Sequence, residues 1–514
     1  MDKRVLRRIV VTFPVEVEVK AKRPSSNASS GISGETVDLS GEGMGLFLEK
    51  PLTKSSSFIL RIDLSPQYPS VEIEAQPIWY DSIAKTGRFR CGIRFLGHQD
   101  VNRIELSRVI NEIMKFKATF WRRNLNQFLV TVRDLLIPFM PKFIVRLLVG
   151  KGDFVFLAHA LDLSDFVRKY PFADRMSKRN VKIFSRNLWP IIGSKITGFK
   201  KRDGSPVNGW IVFCPLTTRM MILKREVAKE KILKATKFAE KLGAKVIGLG
   251  AFIPILTDDG RFLADKVKTN ITSGAAFSGM TAVQNVLKLV DVMGIKEIET
   301  KIAIVGAGGS VGSICSKMLA RKFKEVLLVD KNMESLDKLV REINLTGAEN
   351  EGKILTSRHV EDIKDANIII AVTSVPGVVV RSSHLKPGAV IIDAAQPKNV
   401  SAKIPKERKD VLVIESGVIE VNGLKTNFNL GLRKENEVFS CLAEVLLMIW
   451  MERKCNYLGR IDSFYVQELW SAAKHAGIKL AAFRNNLGFI KDEDIKRIKN
   501  MRRRNMNFKE RNKE

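Results

Sequence analysis

The run Lys301-Ile302-Ala303-Ile304-Val305, followed at once by Gly306-Ala307-Gly308-Gly309-Ser310-Val311-Gly312, restricts this chain more than any other feature in it. Five apolar residues bounded by glycine read as a buried strand. A helical pattern continues through Ile314, Met318 and Leu319, and Val326-Leu327-Leu328-Val329-Asp330 reads as the next strand. A strand, glycine loop, helix and strand in that order belong to a parallel α/β sheet. They supply what a dinucleotide needs: close backbone approach to the pyrophosphate and the free amides and positive dipole of a helix N-terminus. Gly306, Gly308, Gly309, Ser310, Val311 and Gly312 are therefore candidate cofactor contacts, in the spacing G-x-G-G-x-x-G. Asp330 ends the second strand, where a carboxylate accepts ribose hydroxyls and repels a 2′-phosphate, which favours NADH; Lys331 beside it softens the discrimination. Thr373 and Ser374 end the later strand-like run from Ile368 and join the candidate cofactor contacts, and Val390-Ile391-Ile392-Asp393 completes the sheet.

The alternation of strands and helices begins well before this unit. Phe154–Leu157, Gly209–Phe213 and Lys245–Leu249 read as buried strands, and Lys224–Leu242 as a helix. Upstream the pattern changes to period two, in Val15–Val19, Phe58–Leu64 and Val71–Ala75, separated by Ser/Gly-rich and Pro-containing breaks. Short alternating strands at such spacing predict a small β-barrel. With 514 residues the chain exceeds one hydrophobic core. The expected organisation is multidomain: a barrel over 1–115, an amphipathic helical connector over 116–151, an α/β substrate domain over 152–295, a Rossmann-type domain over 296–430, C-terminal helices over 431–485 and a solvated basic tail over 486–514.

Charge narrows the partners. The chain carries 86 Lys and Arg against 55 Asp and Glu, a formal +31, a field that attracts anions. No helix-turn-helix, zinc-finger or RNP pattern accompanies it, so no nucleic-acid polymer is expected. The connector holds Phe143-Ile144-Val145 and Leu147-Leu148-Val149 with Lys142 and Arg146 among them. It is too charged to span a bilayer; packing on a neighbouring domain is its first reading and peripheral contact with an anionic membrane its second. Five scattered cysteines in no CxxC or metal-ligand spacing point to a reducing cytoplasm and no metal. The opening residues lead into no apolar core of signal-peptide length.

At the N-terminus Arg4 and Arg8 are spaced R-x3-R, and Asp38-Leu39-Ser40-Gly41-Glu42-Gly43 forms D-x-S-x-x-G. With Phe13-Pro14-Val15 and Cys91-Gly92-Ile93-Arg94-Phe95 these elements resemble the PilZ family over about 110 residues. The resemblance implies cyclic di-GMP as effector. The chemistry agrees: two guanidiniums clamp phosphates and guanine edges, Asp38 and Ser40 offer an acceptor and a hydroxyl, and Gly43 permits close backbone approach.

Near the other end, Phe439-Ser440-Cys441-Leu442-Ala443-Glu444 opens a short apolar helix. A free cysteine there is ordinarily a core hydrophobe, although a place near a helix N-terminus would lower its pKa. Together with Phe156-Leu157-Ala158-His159, Thr272-Ser273-Gly274, the Gly306 loop and Ile392–Asn399, this run resembles the long-chain acyl-[acyl-carrier-protein] reductases, from Asp153 to about Phe483. The resemblance implies an acyl-accepting nucleophile at Cys441, NADPH as reductant, an acyl carrier protein or acyl-CoA as partner, and a fatty aldehyde as product. His159 and Lys398 are candidate donors to the developing oxyanion. Two other readings remain open: a dehydrogenase of a small polar substrate on the same scaffold, and a non-catalytic cyclic di-GMP receptor that senses a dinucleotide.

Overall fold

The computed structural model describes residues 14–19, 32–39, 43–49, 57–62, 71–83, 88–96, 132, 136–160, 170, 176–345, 352–375, 377–427 and 430–511. The chain forms two compact units, Met1–Val130 and Thr131–Glu514.

In the first unit, β1 (Pro14–Val19), β2 (Ile32–Leu39), β3 (Gly43–Leu48), β4 (Phe58–Ile62), β5 (Val71–Ile83) and β6 (Arg88–Phe95) close into a barrel in the order β1-β2-β3-β6-β5-β4. All pairings are antiparallel. Alternate residues such as Phe58, Leu60 and Ile62 fill the interior, as the period-two pattern requires. Gly43 pairs with Arg94, and a Cβ there would stand 2.1 Å from the Ile93 carbonyl oxygen. Its close approach is therefore to strand β6, a structural demand separate from the ligand contact expected of it. Asp38 lies on β2 where the pairing with β3 shifts register. Arg4, Arg8 and Ser40 lie outside the described residues.

The second unit opens on helix α1 (Lys142–Val149), whose Val145 is buried while Phe143 and Leu147 are exposed. Five strands of a six-stranded sheet follow, β7 (Phe154–Ala160), β8 (Ile191–Lys200), β9 (Pro206–Thr217), β10 (Val246–Leu249) and β11 (Asn270–Thr272), with α2 (Arg225–Lys241) packed on β9 and β7. Strands β11, β10, β7 and β9 run parallel, and β8 is antiparallel to β9. The long helix α3 (Ala275–Met293) then leads to a wholly parallel sheet of β12 (Lys301–Val305), β13 (Glu325–Val329), β14 (Lys353–Ser357), β15 (Ile368–Ala371), β16 (Val390–Asp393) and β17 (Leu412–Glu415). Its order, β14-β13-β12-β15-β16-β17, is that of a dinucleotide-binding sheet, reversing direction between β12 and β15. Helix α4 (Ser310–Leu319) follows β12 and packs on α3, so one core joins residues of both sheets.

After Glu415 the chain leaves this sheet, earlier than the boundary expected at 430. Strand β18 (Val418–Val421) heads a small sheet, and β19 (Lys425–Thr426) pairs with β8 at the edge of the first sheet. Helices α5 (Ser440–Trp450) and α6 (Ser463–His475) pack on α3, and α5 also lies across β10 and β7. The basic tail, expected to be solvated, is instead the helix α7 (Asp492–Arg511). Ile495 and Ile498, three apart on one face, are buried, and Arg497 and Arg502 donate to the carbonyls of Lys409 and Asn367. Among the described residues no helix is long and apolar enough to cross a membrane.

Candidate active site

The glycine loop sits where the parallel sheet reverses. Gly306 has φ +91°, and a Cβ there would meet the Thr373 backbone at 2.9 Å; one at Gly312 would lie 2.0 Å from the Gly306 carbonyl oxygen. These two positions need glycine for close packing of loop on helix. Gly309 is the N-cap of α4, so the first amides of that helix face the loop. The carboxylate of Asp330 accepts the Gly308 N–H at 3.0 Å and the Asn332 N–H at 3.1 Å, which ties the loop to the end of β13. Ser310 donates its hydroxyl to Asp259 at 2.6 Å, linking the loop to a turn of the first sheet's layer. Thr373 donates its N–H and its hydroxyl to Asn399 Oδ1, at 2.9 and 2.8 Å, and Ser374 is exposed.

A cavity of about 880 Å³ runs from this loop to Cys441 and is lined by both layers. At one end are Gly306, Gly309, Ser310, Val311 and Asp330, with Lys331, Arg358 and Arg381 bringing positive charge. At the other are Ala251, Ser273, Gly274, Ser278 and Cys441, and Thr373, Ser374 and Gln396 also line it. The residues fit a dinucleotide: a glycine cradle that a side chain would fill, a helix N-terminus, and room for more than the nucleotide itself.

Cys441 is the second residue of α5 and half-buried. Two glycines let that helix lie so deep. A Cβ on Gly248 would stand 2.2 Å from Val445 Cγ2, and one on Gly274, at φ +74°, would stand 2.3 Å from Cys441 Cβ. Burial pushes the thiol up to about 12, aided by the charge of Glu444, against backbone N–H groups of Leu442, Cys441 and Ala251 that pull it down. The shift runs against the expectation of a low-pKa thiolate at the helix N-terminus, because desolvation outweighs the dipole. Glu444, fully buried one turn further on, accepts the Thr272 hydroxyl at 2.5 Å and the Phe277 N–H at 2.7 Å. Burial pushes its carboxyl up to about 7 against those donors.

His159 is 4% exposed at the end of β7 and does not line the cavity. Its Nδ1 faces the Ala160 carbonyl at 2.8 Å, and its Nε2 accepts the Phe252 N–H at 3.0 Å. An acceptor on one side and a donor on the other fix the Nδ1–H tautomer and leave no free N–H for an oxyanion. Lys398 donates to the Asp393 carbonyl at 3.4 Å and also lies off the cavity wall. The buried Asp393 carboxylate accepts the N–H groups of Ala395, Asn399 and Val400, which shapes the loop that presents Gln396. Of the other cysteines, Cys91, Cys214 and Cys315 are buried and serve as packing, whereas Cys455 is exposed. Reading the sequence alone misses Asp259, Arg358, Arg381, Gln396 and the left-handed Ala251, none of which carries a local signal.

Comparison with known proteins agrees with this architecture. Residues 2–112 match the PilZ domain model, and residues 291–415 match the model of shikimate / quinate 5-dehydrogenase. The chain thus carries a PilZ domain at its N-terminus and an oxidoreductase-like Rossmann region beyond it. Over 260 residues it is 28% identical to the long-chain acyl-[acyl-carrier-protein] reductase of Synechococcus elongatus, covering 48% of this chain and 73% of the relative. Over 325 residues it is 25% identical to the aminotransferase PigE of a Serratia species, covering 60% of this chain but 37% of that relative. Among solved structures, shikimate 5-dehydrogenase from Listeria monocytogenes in complex with shikimate and NAD is 12% identical. It covers 62% of this chain and 96% of its own, at a TM-score of 0.27.

Proposed function

We propose that this protein is a cyclic di-GMP-responsive acyl-thioester reductase that releases a fatty aldehyde from an acyl group held on Cys441. The observation that carries the reading is the single cavity lined at one end by the dinucleotide loop and at the other by the Cys441 thiol. The likeness to the Synechococcus elongatus reductase supports it. In acyl transfer the Cys441 sulfur bonds to the acyl carbon, the bond to the carrier's sulfur breaks, and the thiol proton leaves with the carrier thiol. Gly306, Ser310 and the α4 amides would hold NAD(P)H, which when bound would supply the hydride for the acyl carbon. With one proton this gives a thiohemiacetal, which collapses to aldehyde and restores the Cys441 thiol. The basic surface suits an acidic carrier by steering its approach.

Asp330 favours NADH, whereas Lys331 and Arg358 on the same wall suit a 2′-phosphate, as the resemblance to the reductases implies. For the PilZ domain, Arg4, Arg8, Asp38, Ser40 and Gly43 are the residues proposed to hold cyclic di-GMP. The match to the shikimate / quinate dehydrogenase model favours one second reading, a dehydrogenase of a small polar substrate.

The test is intact-protein mass spectrometry after incubation with a long-chain acyl thioester and no reductant. The expected result is one acyl-sized increase in the wild type that is lost in Cys441→Ala. Absence of an adduct on several acyl donors, or dehydrogenase turnover undiminished in Cys441→Ala, would sink the thioester reading.

A further inference from the structure

Strands β10 and β11 are parallel neighbours, with Gly248 opposite Thr272. Beyond their C-terminal ends come Ala251 and Ser273, near the α5 N-terminus that carries Cys441. Both line the cavity. Ser273 is 6% exposed and its hydroxyl has no hydrogen-bond partner, a costly state for a buried polar atom that a ligand in the cavity would relieve. Its backbone N–H is tied to the Tyr457 carbonyl at 3.2 Å, and the next residue, Gly274, packs against Cys441.

Ala251 has φ +50°, an unfavourable backbone for a residue with a Cβ. The turn is held from both sides: Gly250 N–H donates to the Leu157 carbonyl at 2.8 Å, and Phe252 N–H donates to His159 Nε2 at 3.0 Å. Between those two fixed amides, the Ala251 N–H bonds no protein oxygen among the described residues and is turned toward the Cys441 sulfur. A fixed amide and an unpartnered hydroxyl converging beside a nucleophile are what a developing alkoxide requires.

We infer that the Ala251 N–H and the Ser273 hydroxyl form the oxyanion hole of Cys441, and that His159 is a positioning residue that fixes the Ala251 turn. The inference rests on the thioester reading. When the Cys441 sulfur adds to the acyl carbon, the carbonyl electron pair moves to oxygen, and that oxygen sits between these two donors. It returns to a carbonyl when the carrier thiol departs. The same pocket serves the alkoxide formed when hydride adds to the acyl-enzyme. His159 acts through the turn it holds, and no proton crosses it.

The test uses the full-length protein with hexadecanoyl-coenzyme A, following single-turnover acylation by intact mass in the wild type, Ser273→Ala, His159→Leu and His159→Gln. Ser273→Ala should slow maximal acylation by about a hundredfold, the usual effect of one lost oxyanion donor, with the half-saturating concentration unchanged. His159→Leu, which removes the acceptor for the Phe252 N–H, should slow it comparably. His159→Gln, which keeps an acceptor there, should recover most of the rate and the wild-type pH profile. Acylation of Ser273→Ala at the wild-type rate, beside a wild type that forms its adduct, overturns the oxyanion assignment alone. A His159→Gln variant as slow as His159→Leu, with an altered pH profile, overturns the positioning role in favour of acid–base chemistry. A wild type that never acylates removes the thioester reading and this inference with it.

Discussion

Glu444 shows how a single buried carboxyl couples the Cys441 region to pH. Its native pKa of about 7 lies above the ordinary 4.5 because burial disfavours the charge. Between those values the native state holds a proton that the unfolded chain releases, so this group's contribution is full below about pH 4.5. It is lost as pH rises to about 7 and is constant above that. The expected size is about 3 kcal/mol at most. Denaturant unfolding across pH 5 to 8 should show wild-type stability falling relative to Glu444→Gln, which has no proton to lose. Parallel pH profiles for the two would refute the assignment. At this scale the sequence was only partly legible. Cys441 stood out through its resemblance to a family, and its helical position was readable from the apolar run behind it. The raised thiol was not readable, because it follows from two glycines distant in the chain that let α5 sink. Nor was the His159 bond to the Phe252 amide, 93 residues away, which makes the histidine a brace and not a free donor.

Among elements, the packing of α5 on β10 is the contact that presents the thiol to the cavity. Gly248→Ala would drive a methyl into Val445, where the gap is 2.2 Å, at a cost of roughly 1–3 kcal/mol for an overpacked core. Adding Val445→Ala should recover part of that loss, so unfolding of the two single variants and the double should give a clearly favourable coupling. Additive effects would mean that the helix does not bear on the strand there. Strands β7, β10, β12 and β13 were legible because fully buried strands write themselves as short apolar runs between turns. Helix α7 was not, because its two buried isoleucines are outnumbered by charges on the other faces. Strand β19 was not legible either: two residues carry no periodicity, and pairing with β8 depends on where the chain has been brought.

For the whole molecule, the proposed function joins an effector domain to an enzyme in one chain, and its two activities should separate by mutation. Arg8→Ala should abolish cyclic di-GMP binding measured by calorimetry while leaving the affinity for NAD(P)H at its wild-type value. Retained effector binding would remove Arg8 from the site. Within the second unit, the path of the chain ties together the two walls of the cavity. The backbone passes from the first six-stranded sheet to the second after α3, returns after Glu415 to add β19 to the first, and comes back in α7 to lie on β17. The two walls of the cavity are thus joined by three crossings of one backbone, so neither sheet is tied to the other by a single linker.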